Sequence, residues 1–310
     1  MSVLSLYENC TLCPHSCSVN RSQAFGFCKE SSASNIVWIG LHKGEEAPIS
    51  GENGSGMLFF RGCTLQCPTC QNIQISSNRE KESLGRNYTI DQIAEKMLLL
   101  QNAGAATISF VTAEHFAPTV VETVKLARDQ GLKIPTVFNT SGFMTVDTIK
   151  LLLPVIDIWL WDTKTLSPDI AERYFGSKAY PEVEEEGLSY LTSCIDSENL
   201  DSDFPKGIIV RHLVLPGHIE ESKAVIRNFA EKYKDKCYFS LMYQFIPPEN
   251  AKGELLSSIT KADTEELENL LFSLDIENGF IQELDSNEKL WLPDFTKFNP
   301  FPKDFSKTIK

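Results

Sequence analysis

Arg61-Gly62-Cys63-Thr64-Leu65-Gln66-Cys67-Pro68-Thr69-Cys70-Gln71-Asn72 carries three cysteines in the spacing C-x3-C-x2-C, directly after an apolar run, Met57-Leu58-Phe59-Phe60, that reads as a strand. Thiolates are the preferred ligands of iron–sulfur clusters, and a short loop can wrap them around one cluster. Three such ligands on a four-iron cube leave one iron without a protein ligand, and an open iron can chelate a small molecule. The alternatives are a zinc knuckle or three cysteines that only happen to lie close together. Zinc usually takes four ligands, commonly as paired C-x2-C units, and this run supplies three.

Upstream lies a second group, Cys10-x2-Cys13-x3-Cys17, followed by Cys28 after Gly26-Phe27. Four cysteines so close together, with Pro14 and few long apolar runs, predict a small lobe held by a metal, either zinc or a second iron–sulfur cluster. Unligated structural cysteines are the other reading. Between this lobe and the first strand, the glycines and Pro48 of the segment 42–56 mark turns. Adjacent Glu45 and Glu46 read as a solvated charge pair, although a loop beside a cluster could use one of them.

The chain of 310 residues is long enough to bury a sizeable core, and 42% apolar with 23% charged is an ordinary globular composition. A net charge of -13 argues against nucleic acid as the main partner, since phosphate binding needs a basic surface. No apolar run reaches the length of a membrane span, and Val155–Trp161 is interrupted by Asp157. Residues Met1–Asn9 lack the basic and apolar regions of a signal peptide. Nine cysteines, an odd number and clustered, read as metal ligands in a reducing compartment and not as a disulfide framework. The expected location is cytoplasmic.

From residue 56 to about 250, apolar β-branched runs at 57–60, 106–111, 134–138, 155–161, 207–215 and 237–245 alternate with helical segments. The first helix is capped by Thr89, carries Ile90, Ile93, Ala94, Met97 and Leu98 on one face, and stops before Gly104. Others are predicted at 118–130, 145–153, 181–193, 220–234 and 263–274. Strand–helix alternation at this spacing means parallel strands with right-handed crossovers. Six units predict an α/β fold of the partial (β/α)6 TIM-type barrel kind, although a doubly wound sheet shares the pattern. The organisation read is a Cys-rich lobe with its lead-in loop at 1–55, the barrel at 56–250, and a C-terminal extension at 251–310 packed on it. That extension holds a linker at 251–262, a strand at 279–284 and an aromatic tail, Trp291-Leu292-Pro293-Asp294-Phe295. Cys194–Asp203 is acidic and polar and reads as an exposed loop.

Ligands of such folds gather at the C-terminal ends of the strands. The second strand of the series ends in Thr112-Ala113-Glu114-His115, the third in Asn139-Thr140-Ser141-Gly142 and the fourth in Asp162-Thr163-Lys164. The fifth carries Arg211-His212. Each could be a helix cap or a structural ion pair, and their joint placement after successive strands is what makes them a candidate site.

With these residues in place the chain resembles the radical S-adenosylmethionine (SAM) superfamily, and within it the pyruvate formate-lyase-activating-enzyme-like branch of activases. The resemblance runs through Cys-x2-Cys-Pro-His-x-Cys at 10–17, Gly44-Glu45-Glu46-x-Pro48-Ile49-Ser50-Gly51, and the Cys63 loop. It continues in Val111-Thr112, Asn139–Gly142, Asp162-x-Lys164, Arg211–Gly217 and Trp291-x-Pro293-Asp294-Phe295. It implies a 4Fe-4S cluster on Cys63, Cys67 and Cys70, with SAM on the fourth iron through its amino and carboxylate groups. Reductive cleavage of SAM would give a 5′-deoxyadenosyl radical that abstracts a hydrogen atom, with the cofactor carrying the chemistry. Thr112 and Glu114 would lie at the methionyl amino group, and Asn139, Thr140 and Ser141 near the ribose. Asp162 and Lys164 would contact the methionyl and ribose groups, and Arg211 would hold the carboxylate. Two positions depart from the pattern: Thr69 stands where an aromatic is usual, and Thr112-Ala113 where Gly-Gly is usual.

The activity implied is that of a radical SAM oxidoreductase acting on a protein, for example installing a glycyl radical in a partner enzyme. A low-potential donor such as a flavodoxin or ferredoxin would serve it, with no nucleic acid and no membrane involved. Radical SAM modification of another protein, a peptide or a small molecule is the alternative within the class. A non-catalytic iron–sulfur or zinc protein is the alternative outside it.

Overall fold

Thr89 closes a capping box with Gln92, its side chain accepting from the Gln92 N–H (3.3 Å) while Gln92 Oε1 accepts from the Thr89 N–H (3.0 Å). The predicted helix therefore starts where expected, and it buries Ile93, Ala94, Met97 and Leu100 against the sheet. The computed structural model describes residues 2–77, 84–195, 207–247, 251–282, 284 and 292–309. Most of the acidic loop read at Cys194–Asp203, and Trp291 of the tail, lie outside the described residues.

In chain order the structure has β1 (Ser34–His42), α1 (Ala47–Ser50), β2 (Ser55–Phe60), α2 (Ile73–Ser76), β3 (Arg86–Tyr88) and α3 (Ile90–Asn102). Next come β4 (Ile108–Val111), α4 (Ala117–Asp129), β5 (Thr136–Thr140), α5 (Val146–Leu152), β6 (Ile158–Asp162), α6 (Pro168–Ile170) and α7 (Tyr180–Cys194). The last are β7 (Gly207–Leu213), α8 (Ile219–Lys232), β8 (Tyr238–Met242), α9 (Lys261–Ser273), β9 (Gly279–Ile281) and β10 (Ser306–Thr308). Strands β2, β4, β5, β6, β7, β8 and β9 lie side by side in sequence order, each parallel to the next. An order that never reverses puts every crossover helix on one face and curls the sheet, so the fold is a partial (β/α)6 barrel of TIM type.

Two features were not anticipated. Residues 34–42, inside the stretch read as lobe and lead-in, form β1, which pairs antiparallel with β2, β3 and β10. The C-terminal residues are built into the sheet, since β9 extends the parallel series and β10 covers the far side of β1. The tail thus pairs with β8 at one end of the sheet and with β1 at the other, and its two short strands, β9 and β10, become the ends of the strand order.

Alternation of side chains along the strands sets the two layers. Trp159 and Trp161 of β6, Phe138 of β5 and Val210 of β7 pack outward under the helices in the largest core. Val137, Ile158, Leu160, Ile209 and Tyr238 face inward and form an apolar plug with Ile49 of α1. Thr107 Oγ1 donates to the Ile49 carbonyl (3.0 Å), fixing the plug to the base of β4.

On α7, Glu184 is buried and accepts from Trp161 Nε1 (2.8 Å) and Thr163 Oγ1 (2.6 Å), clamping that helix to the end of β6. Burial pushes its carboxyl up to about 7, against those hydrogen bonds. An unfolded glutamate releases its proton near pH 4.5, so between there and 7 the folded chain holds the extra proton. Stability is therefore lost as pH rises across that window, by roughly 3 kcal/mol for this group. We expect the thermal midpoint to fall between pH 5 and pH 8, and Glu184→Gln to flatten part of that fall. An unaltered pH slope in the variant would show that Glu184 does not titrate as stated.

Candidate functional site

The strand alternation that buries Val137, Leu160 and Ile209 also brings Asn139, Asp162 and Arg211, each two residues further on, to the inner face one level higher. There they line a cavity of about 610 Å³ together with Cys63, Cys67, Cys70, Thr112, Ser141 and Lys164. A volume of this size lies in the ordinary range for small-molecule sites. The predicted candidates that reach this cavity are thus the three loop cysteines, Thr112, Asn139, Ser141, Asp162, Lys164 and Arg211.

The cysteine loop hangs from β2 and is tied on four sides. Thr64 Oγ1 donates to Phe143 O (3.3 Å), Thr69 Oγ1 to Tyr174 O (2.8 Å), Gln71 Nε2 to Gln244 O (2.9 Å) and Gln66 Nε2 to Phe27 O (2.8 Å). Around it lie Leu65, Phe143, Tyr174, Phe175, Tyr180, Leu215 and Phe245, so one wall of the site is apolar. Gly62, just before Cys63, has φ of +79°. A Cβ there would meet Glu30 Cγ at 2.6 Å and the Cys28 carbonyl at 2.8 Å, so only glycine fits.

The three thiols are soft donors on one short loop, facing the cavity and without disulfides. Burial raises the Cys67 thiol to about 12, with the Lys164 ammonium pulling the other way. A bound metal would invert this by taking the thiolates directly. Lys164 bridges Asp162 at 2.6 Å, and both are half-buried. Burial alone would weaken the lysine's charge, but Asp162 and the Cys67 and Cys70 sulfurs hold it well above its ordinary value. Its ammonium also lies 5.9 Å from the centre of the Phe175 ring. Thr112 sits at φ +55°, a left-handed conformation that glycine would adopt without strain. Its N–H donates to Asn139 O (3.0 Å), so the surrounding structure holds it there.

Two predicted residues stand behind the cavity wall. Glu114 is fully buried and accepts from Thr140 Oγ1 (2.6 Å) and the Ser141 N–H (3.2 Å). Burial raises its carboxyl, opposed by the Thr140 hydrogen bond. Glu114 and Thr140 thus brace the end of β5, and Ser141 is the part of that brace that reaches the cavity.

Arg211 reaches the cavity already paired. Its Nε donates to Glu46 Oε1 (2.9 Å), and its Nη2 to both Glu45 and Glu46. The glutamate side chains are only 9% and 6% exposed, so the pair read as solvated is buried against a guanidinium 165 residues away. The pair escaped the sequence because adjacent glutamates in a loop give no local sign of burial. Burial works against the Glu46 charge, yet Arg211 overrides it and holds the carboxyl below its usual range. The two carboxylates likewise hold the Arg211 charge firmly in place. Phe175 was also missed, since nothing in its local sequence places it beside the thiols.

Arg211→Met would leave the two carboxylates without a cation. We expect a loss of about 3–5 kcal/mol, the usual cost of breaking a buried ion pair from one side. Protonation relieves the stranded charges, so the fall in thermal midpoint should be larger at pH 8 than at pH 5. Equal falls at both pH values would contradict the pairing.

Comparison with known proteins gives four findings. The radical SAM superfamily profile matches residues 57–252. An uncharacterized protein of Methanocaldococcus jannaschii is 29% identical over 253 residues, which is 80% of this chain and 69% of that one. Among solved structures, a radical SAM methyltransferase from Sphaerobacter thermophilus is similar at a TM-score of 0.51 and 14% identity, over 76% of this chain and 69% of that one. A domain of pyruvate-formate lyase-activating enzyme from Bacteroides vulgatus is similar at a TM-score of 0.41 and 12% identity, over 54% of this chain and 92% of that one. The methyltransferase likeness is one of fold. With well over half of its 310 residues inside the profile match, the chain belongs to the radical SAM superfamily, whose members use a 4Fe-4S cluster and S-adenosylmethionine.

Proposed function

We propose that this chain is a radical SAM oxidoreductase that acts on a protein substrate, in the manner of the glycyl-radical activases whose ordered motifs it resembles. The observation that carries the reading is that Cys63, Cys67 and Cys70 form one wall of the cavity whose other walls are the polar ends of β4, β5 and β6. Three thiols match a four-iron cube with one open iron. Cys63, Cys67 and Cys70 would hold the cluster, which with SAM would supply one-electron reductive C–S cleavage and hydrogen-atom abstraction from the substrate.

The chain's own residues bind, orient and keep the site dry. Lys164 is the cation for the SAM carboxylate, because Arg211 is matched by two buried carboxylates, Glu45 and Glu46, whereas Lys164 has one, Asp162, and lies beside the thiols. Asp162 fixes Lys164 and presents acceptors to the amino and ribose groups. Asn139 and Ser141 contact the ribose, with Glu114 and Thr140 holding that strand end. Phe175 offers the aromatic surface that Thr69 lacks, and the Thr69–Tyr174 hydrogen bond keeps the two segments together. The apolar side chains around the loop exclude water from the reacting atoms. A low-potential one-electron donor of the flavodoxin or ferredoxin type supplies the reductant.

Anaerobically reconstituted protein with dithionite and SAM should yield equal amounts of methionine and 5′-deoxyadenosine, and alanine at Cys63, Cys67 or Cys70 should abolish both. Absence of 5′-deoxyadenosine from the wild-type chain would end the proposal. Phe175→Ala should raise the KM for SAM by about tenfold at little change in kcat, the scale of one lost aromatic contact. A protein substrate would pass deuterium from a labelled glycine into 5′-deoxyadenosine.

A further inference from the structure

Phe175 ends a single turn of π-helix, Ala171–Phe175, between α6 and α7. Such turns are rare and are found mostly at functional sites. Phe175 borders the cavity with Cys67, Cys70 and Lys164, while its neighbour Tyr174 is only 4% exposed, in the apolar cluster that also holds Cys63, Leu65 and Leu255. Tyr174 is tied at both polar ends. Its carbonyl accepts from Thr69 Oγ1 (2.8 Å), on the ligand loop between Cys67 and Cys70, and its hydroxyl donates to Glu254 Oε1 (2.5 Å).

Glu254 stands on a short turn, Gly253–Leu256, near the start of the C-terminal extension. Leu255 sinks into the apolar cluster, and the Glu254 carboxylate gathers three partners: the Tyr174 hydroxyl, Arg173 Nη1 (2.9 Å) and His218 Nε2 (3.4 Å). His218 comes from the loop after β7, and its ring meets the Tyr174 ring edge-on at 5.2 Å. The residue before it, Gly217, has φ of +78°, and a Cβ there would meet Glu254 Cβ at 2.6 Å. Only glycine lets the two segments approach so closely.

We propose that Glu254 is a positioning residue for the SAM site: by gripping Tyr174 it sets the place of Phe175 and of the Cys67–Cys70 side of the ligand loop. This rests on the reading of the cavity as the SAM site. Neither Glu254 nor the amino-terminal Cys10, Cys13, Cys17 and Cys28 line the cavity, so Glu254 acts on it only through Tyr174.

Two observations carry the proposal. First, a phenol donating to a carboxylate makes a charge-assisted hydrogen bond, stronger than a neutral one. The Tyr174 hydroxyl is the chief cause that holds the Glu254 carboxyl down to about 2, and burial, followed by Glu254, pushes the Tyr174 phenol up to about 12. Donor and acceptor therefore keep their forms at neutral pH. Second, the route from Glu254 to the site is short. Phe175 directly follows Tyr174 in the chain, and Thr69 directly precedes Cys70. Freeing the Tyr174 ring would loosen two walls of the cavity together.

The test compares Glu254→Ala, Glu254→Gln and Tyr174→Phe in the full chain. Glutamine keeps an acceptor for the Tyr174 hydroxyl, whereas the other two changes each remove the bond. After cluster reconstitution, Glu254→Ala and Tyr174→Phe should each raise the KM for SAM about tenfold, the scale of one hydrogen bond to a charged group. Iron content and kcat should stay as in the wild type, and Glu254→Gln should restore most of the lost affinity. The double variant Glu254→Ala/Tyr174→Phe should be no worse than either single change, since both break one contact. A second readout needs no activity: hydrogen exchange of the cluster-free chain. Amides of 63–72 and 171–176 should exchange faster in Glu254→Ala, with β7 unchanged. A wild-type KM in Glu254→Ala, or exchange that quickens only at 251–257, overturns the proposal. If the wild-type chain cleaves no SAM, the proposed activity fails, and hydrogen exchange alone decides whether Glu254 positions the loop.

Discussion

Side chains on a strand alternate between faces, and everything at this site depends on how that alternation falls in β5, β6 and β7. Val137, Ile158, Leu160 and Ile209 close the base of the curled sheet against Ile49, and the next inward positions are Asn139, Asp162 and Arg211. A one-residue slip would turn the polar Asn139 of β5, or the charged Asp162 of β6 or Arg211 of β7, into the outer core and take it from the site. The parallel register sets their levels: Asp162 lies opposite Arg211 and Arg211 opposite Ser240, while Asn139 lies one step lower, opposite Leu160.

On this frame the chain balances charge in two separate layers. Deep in the cavity, Arg211 is matched by Glu45 and Glu46, brought there by the same segment whose Ile49 plugs the base. One segment thus does two jobs, apolar closure below and anionic pairing above. Nearer the thiols, Lys164 is held by Asp162 and lies within reach of the Cys67 and Cys70 sulfurs. A positive charge there suits both an anionic cluster and a carboxylate ligand.

The six strand–helix units were legible because apolar runs and capped amphipathic helices repeat at a spacing that only a crossover topology satisfies. The cysteine loop was legible because ligand spacing is local. Strand β1 was not, since it follows a cysteine-rich stretch and pairs antiparallel, outside the repeat. Glu45 and Glu46 looked solvated because their partner, Arg211, is 165 residues distant from Glu46 and only the fold brings them together. Glu114 stood at the right strand end, but strand position does not say on which side of the wall a side chain falls. It supports Thr140 and Ser141 from behind.

The central claim is that the Cys63 loop presents an open iron to SAM inside this cavity. Electron–nuclear double resonance on the reduced protein, with SAM labelled at its amino nitrogen, addresses it directly. A hyperfine coupling from that nitrogen to the cluster, lost in Cys63→Ala, is the predicted result. SAM that binds with no coupling to the cluster would contradict the account.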